Sequence, residues 1–261
     1  MDAPFEFLVF QLNAPLASFG NSMGLRRTTD THPRQSVITG LLAAALGIEH
    51  GQDAEFKALA QAYRMGVAEL SAPRVMTDYH TVSAPVGRYY EHAHVRTKKE
   101  SRAQTRIEQF RAIEGVLAAG GKYQNTMETR RDYLQNGKWL VAVQADPAVL
   151  QALASALQHP AFTLSLGRKS CVLAAYTAPV VVQEPSIEAA MRAWARVVDP
   201  RLSLEGVPLF WDASLPAETR PVAALVRTDV RLSLSANWFA ERLEKQGTIE
   251  NCHADDTAQA A

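Results

Sequence analysis

The stretch from Phe5 to Leu12, FEFLVFQL, is apolar at nearly every position and dense in β-formers, the pattern of a strand buried on both faces. It is expected to stop at Asn13-Ala14-Pro15. The following LASFGNSMGLRRTTDTHPRQS has no hydrophobic period and reads as a loop. Ser36 then stands as a candidate N-cap for VITGLLAAALG, a helix apolar nearly all round and closed by Gly47. A second helix is predicted from Asp53, with Phe56, Leu59, Ala60 and Tyr63 at helical spacing and an end at Gly66. VAEL and RVMTDYH read as short strands across a turn at Ser71 to Pro73. After a long polar segment, KWLVAVQ is a strand. Asp146-Pro147 then opens a helix with Val149, Leu150, Leu153 and Leu157 on one face, closed by His159-Pro160. FTLSL is expected as a further strand, leading directly into LGRKSC.

Without the long polar segment the order is β-α-β-β-α-β, that of the ferredoxin-like fold to which RNA-recognition modules belong. That order alone does not assign a function. No R-G-F-G-F-V type pattern is present, so base stacking of the usual RNA-recognition kind is not expected. Ser186 is a candidate cap for a later helix with Ile187, Ala190, Met191, Trp194 and Val197 on one face, followed by a Pro-rich stretch and a strand-like VAALVRTDVRLSL. The expected class is α+β: a ferredoxin-like (RRM-like) palm from residues 1–85 and 126–182, an inserted basic thumb at 86–125, a small β-containing extension at 183–247, and a disordered tail at 248–261.

Composition changes this picture little. The chain has 261 residues, 47% of them hydrophobic, and a formal net charge of zero, so any binding of nucleic acid must come from local clustering of charge. Such clustering is present. From Arg88 to Lys138 there are eleven cations (Arg88, Arg96, Lys98, Lys99, Arg102, Arg106, Arg111, Lys122, Arg130, Arg131, Lys138) against six acids. Cations on a projecting segment suit a phosphate backbone. A second group, Arg26, Arg27, His32 and Arg34, precedes a helix N-terminus, where backbone N–H groups favour an anion. The N-terminus lacks the basic region of a signal peptide, and no apolar run reaches the ~20 residues of a membrane span, so a cytoplasmic location without membrane attachment is expected.

Candidate chemistry narrows further. LGRKSC is not a phosphate-binding P-loop: Phe162 stands where the first glycine should be, and Arg168 separates Gly167 from Lys169. Cys171, beside those cations, is expected to be a small packing residue rather than a nucleophile, since no His or acid adjoins it. Thr77-Asp78-Tyr79-His80-Thr81 offers acid-base residue types, yet on a strand Asp78 and His80 share one face and Tyr79 takes the other. His92 and His94 lack a third ligand, so no metal site is expected.

Several motifs also fall in one order: NAPLASFG, GLRRTT, HPRQSVITGLLAAALGI, DYHTV, NTMETRRDYLQNGKWLVAV and FTLSLGRKSC. Over about residues 5 to 180 the sequence resembles the CasD family of type I-E CRISPR interference complexes, a RAMP-superfamily subunit of Cascade. APLASFG stands in place of the usual G-P-[LM]-Q-[SA]-W-G, and PRQS in place of P-T-[KR]-S. The resemblance implies a ferredoxin-like palm and thumb that grip the 5′ handle of CRISPR RNA. The implied partners are that RNA, a CasC-type backbone subunit, a CasA-type large subunit and, indirectly, target DNA, with no cofactor and no catalysis by this subunit. Motif and charge together give Arg26, Arg27, His32, Arg34, Ser36, Tyr79, His80, Lys98, Lys99, Arg102, Arg106, Arg130, Arg131, Gly167, Arg168, Lys169 and Ser170 as expected RNA contacts. Two alternatives stay open: a metal-independent endoribonuclease using Tyr79, His80, Lys98 and Lys99, and a protein-only scaffold module.

Overall fold

The computed structural model describes residues 4–20, 24–85 and 124–250. Most of the expected thumb, with Lys98, Lys99, Arg102 and Arg106, and the last eleven residues lie outside the described residues. The chain is a mixed α/β protein built on a largely antiparallel sheet. It divides into two compact units, one comprising Met1–Asn21, Thr28–Met76 and Tyr133–Ala261, the other Ser22–Arg27 and Thr77–Asp132.

In the first unit, β1 (Phe5–Ala17) lies between β6 (Val180–Glu184) and β5 (Gln124–Gln144), and β5 continues to β3 (Arg64–Glu69), every neighbour antiparallel. Beyond β3 the same sheet runs on through β7 (Pro208–Asp212), β9 (Phe239–Thr248) and β8 (Ala223–Arg231). The small β-containing extension expected at 183–247 joins the central sheet, because β7 pairs with β3 at Gly66 to Ala68.

The near-continuous apolar run of β1 has the expected cause. Leu8, Phe10 and Leu12 pack beneath α1 (Gln35–Leu46), α2 (Asp53–Ala62) and α3 (Pro147–Gln158), while Phe7 and Val9 face α4 (Ile187–Val198) on the other side. Trp139, Val141 and Val143 of β5 join the first layer, Leu140 and Ala142 the second. Full burial of each such side chain contributes about 1.5–3 kcal/mol. With α4 covering one face and three helices the other, neither face of the central strands β1, β5 and β3 is open for bases to stack on.

Five expectations are corrected. β1 does not stop at Asn13: it continues through Pro15 to Ala17, which is tolerated because pairing with β6 ends at Val9 and leaves that edge without a ladder partner needing an N–H. Helix α1 begins at Gln35 with Arg34 as its cap, so Ser36 lies inside the first turn; the Gln35 N–H is taken by the Asp229 carboxylate at 3.1 Å. Helix α2 ends at Ala62 rather than Gly66. Gly66 belongs to β3, where a Cβ would run into the side chains of Ile187 and Trp211. FTLSL forms no strand. The N–H groups of Ala161 and Phe162 instead bond the Ala45 and Ala44 carbonyls at the end of α1, leaving only a single bridge from Ser165 to Val172. The tail begins later than residue 248, since β9 includes Thr248 and Ile249 is buried in the second layer.

A buried charge network ties the loop before α1 to β8 and β9. Arg242 donates from Nε to Asp229 at 2.8 Å and from Nη2 to Asp229 at 3.0 Å and Glu244 at 2.5 Å. Glu244 also receives Arg227 at 2.9 Å and meets His32 Nε2 at 3.3 Å. Burial raises the pKa of Glu244, but the hydrogen bond from His32 and the charges around it outweigh that and bring the carboxyl down to about 2. A carboxyl depressed in the folded state stabilises fully above its ordinary value near 4.5 and loses that contribution as pH falls towards 2. Acid unfolding followed by fluorescence is expected to show on the order of 2–3 kcal/mol of stability lost between those limits through this group. Glu244→Gln should flatten that slope, and an unchanged slope would show that Glu244 is not its source.

Candidate nucleic-acid interface

In the first unit the residues of LGRKSC form a tight loop between α3 and β6. Leu166 donates to the Cys171 carbonyl and Cys171 to the Arg168 carbonyl, both at 2.8 Å. Gly167 sits at φ +86°, and a Cβ there would lie 1.8 Å from the Ser18 carbonyl oxygen. The close approach that demands glycine is therefore to the chain's own backbone, where the Ser18 N–H also bonds the Leu166 carbonyl at 3.1 Å. Cys171 is buried in the first layer, and burial pushes its thiol up despite Ser170 and Arg168, which suits packing rather than nucleophilic attack. The Arg168 guanidinium lies over the Tyr133 ring at 4.5 Å, and its Nη1 is buried without a hydrogen-bond partner among the described residues. Lys169 and Ser170 are exposed.

The second cationic group divides on inspection. His32 is buried, stacked on Phe210 at 3.8 Å and paired with Glu244. Arg34 is half-buried and bonded to Asp30 at 2.5 Å. The helix N-terminus they precede already holds an anion, the carboxylate of Asp229. Sequence reasoning could not find this acid, which lies on a strand near the other end of the chain.

The second unit brings Arg26, Arg27, Tyr79, Arg130 and Arg131 together. The short strand β2 (Arg26–Arg27) pairs in parallel with β5, setting Arg26 beside Arg130 and Arg27 beside Arg131. β4 (Arg74–Pro85) pairs with β5 as well. Tyr79 on β4 is half exposed, carries the Arg130 guanidinium 5.8 Å from its ring centre, and has its hydroxyl pKa raised mainly by its bond to Glu128. As the strand geometry requires, His80 bonds Asp78 instead of joining Tyr79. Thr77 donates to Asp132 at 2.7 Å. Successive strand residues take opposite faces, so Arg26 with Arg130 and Arg27 with Arg131 make one pair of like charges on each face of this ladder.

A family model described as CRISPR-associated protein (Cas_Cas5) matches residues 7–243. The chain belongs to this family. Among curated relatives, the CRISPR system Cascade subunit CasD of Escherichia coli (strain K12) is 27% identical over 172 residues, covering 64% of this chain and 67% of that protein. Two solved structures share the fold. A chain of a "CRISPR RNA-guided surveillance complex" aligns with a TM-score of 0.57 at 20% identity, covering 95% of this chain and 90% of that one. A "Cas protein" crystal structure aligns at 0.56 and 23% identity, covering 94% and 95%. No helix among the described residues of this Cas5-family chain is long and apolar enough to cross a membrane.

Proposed function

We propose that this chain is a non-catalytic, RNA-binding subunit of a type I-E Cascade-like complex in the cytoplasm, holding the 5′ handle of CRISPR RNA and contacting CasC-type and CasA-type subunits. The observation that carries the RNA contact is Arg168: a half-exposed guanidinium held over the Tyr133 ring, on a loop with the exposed Lys169. A guanidinium and an ammonium side by side offer the charged donors that suit a phosphate. The arginine pairs of β2 and β5 support the same reading, as does the family's link to CRISPR systems. We read the strand order β6-β1-β5-β3 as the ferredoxin-like palm and residues 86–125, which leave between β4 and β5, as the thumb. In RNA-guided systems pairing reads the target while protein holds the guide by its backbone, and cationic loops serve that task.

The test is binding of repeat-derived single-stranded RNA by the purified chain across a salt series. Affinity should fall steeply with salt, and Arg168→Ala with Lys169→Ala should weaken binding by roughly 1–3 kcal/mol without lowering the melting temperature. Binding indifferent to salt and to both substitutions would favour a protein-only scaffold. The bonded Asp78–His80 pair is the one feature that favours a nuclease. RNA recovered intact after incubation in EDTA argues for the non-catalytic reading, and cleavage abolished by His80→Ala argues against it.

A further inference from the structure

Alongside α1 the first unit has a cleft of about 350 Å³ whose walls include Ser18, Ser36, Gly40, Gly167, Arg231 and Phe239. That volume is at the small end of ligand-binding clefts, which run roughly 300–1,000 Å³. Its lining contains one cation, several hydroxyls and no acid, so it suits an electron-rich occupant. Arg231 is fixed in place, donating from Nε to the Ser233 carbonyl at 2.7 Å and from Nη2 to the Leu234 carbonyl at 3.0 Å. It therefore presents a planar, preoriented guanidinium, and Phe239 adds a partly exposed ring.

Gly40 points to the same conclusion from another direction. It lies in the middle of α1, has no positive φ, and a Cβ built on it would meet nothing within 4 Å. Glycine inside a helix is less favourable than alanine, and nothing among the described residues crowds this position. A residue that the fold does not need is explained if a group from outside lies against the helix there.

We infer that the cleft receives one unstacked nucleotide of the bound RNA, its base against Phe239 and Arg231 and its backbone close to Gly40. This rests on the RNA-binding reading above and assigns a separate subsite to Ser18, Gly40, Arg231 and Phe239, none of which figures among the expected contacts except through neighbouring Ser36 and Gly167. Bases stack readily on aromatic rings and guanidinium planes, and single-stranded RNA offers unstacked bases. The walls formed by α1, the Gly167 loop and β8–β9 residues close the cleft to a compact volume, which fits a nucleotide better than an extended protein helix.

The experiment uses the full chain and repeat-derived single-stranded RNA, read by fluorescence anisotropy, with Gly40→Leu and Gly40→Ala. Leucine fills the cleft from a position with open space and favours the helix, so the melting temperature should hold or rise while affinity drops at least tenfold. Alanine, whose methyl takes space next to the RNA backbone, should weaken affinity too, by less than leucine does. Cross-linking of 4-thiouridine RNA to wild-type protein should place cross-links on peptides containing Gly40 or Phe239, an outcome independent of how the leucine variant folds. Wild-type affinity in a stable Gly40→Leu protein, or cross-links confined to other peptides, would overturn the subsite while leaving the RNA-binding reading intact. If wild-type protein binds no RNA at low salt, both fall. Loss of a protein partner in Gly40→Leu with RNA affinity unchanged would assign the cleft to that partner and also overturn the inference.

Discussion

Arg242→Ala is expected to destabilise the protein by about 3–5 kcal/mol, the scale of removing one partner from a buried ion group. The substitution leaves the Asp229 and Glu244 carboxylates, both almost wholly buried, without the guanidinium that bonds them. Burial opposes the charge on Arg242, and the two acids more than offset this, holding its pKa well above the ordinary value. Asp229 would also be less well held against the first N–H of α1. Urea unfolding gives the measurement. A midpoint within 1 kcal/mol of the wild type would mean that water reaches this cluster and that it is not a buried network. The replacement of Arg242, Asp229 and Glu244 together by Met, Asn and Gln should cost much less than Arg242→Ala alone, because no uncompensated charge remains.

Gly167→Ala should have the second-largest effect, about 2–3 kcal/mol. Left-handed backbone costs an alanine roughly 1–2 kcal/mol, and the new methyl would collide with the Ser18 carbonyl oxygen, forcing the loop away from the end of β1. The same displacement moves Arg168 off Tyr133, so RNA affinity should fall along with the melting temperature. A Gly167→Ala protein with wild-type stability would show that the loop can shift at no cost, and with it the fixed placement of Arg168 would lose its basis.

The elements that were legible in the sequence are those whose burial is written as an apolar period. FEFLVFQL, VITGLLAAALG and KWLVAVQ are each buried along most of their length and each lies inside an element of the expected type, though β1 and β5 run well beyond the apolar stretch. What was hidden depends on partners distant along the chain. Gly66 looks like the end of a helix because its real neighbours, Ile187 and Trp211, arrive more than a hundred residues later. FTLSL looks like a strand because its alternation is right, but its first backbone donors are drawn off by the carbonyls of α1. The strand β9 is obscured by Arg242 and Glu244, buried charged residues that erase the period that marks a strand. The site divides in the same way. The exposed cations Arg26, Arg27, Arg130 and Lys169 and the half-buried Arg131 and Arg168 could be read from charge alone. The burial of His32 could not, since it depends on Phe210 and Glu244.

The order in which the sheet is completed has a consequence for synthesis. β3 has β5 on one side and β7 on the other, and β7 begins at Pro208, well after β3 has left the ribosome. Until then the nascent chain carries an open strand edge at Gly66 to Ala68 and a sheet face lacking the Trp211 and Leu209 that later help to cover it. Unpaired edges and exposed apolar faces are what drive association of incomplete chains. A chain of this design is therefore most vulnerable to aggregation before residues 208–248 have been made, and that segment acts as the closing seam of the sheet.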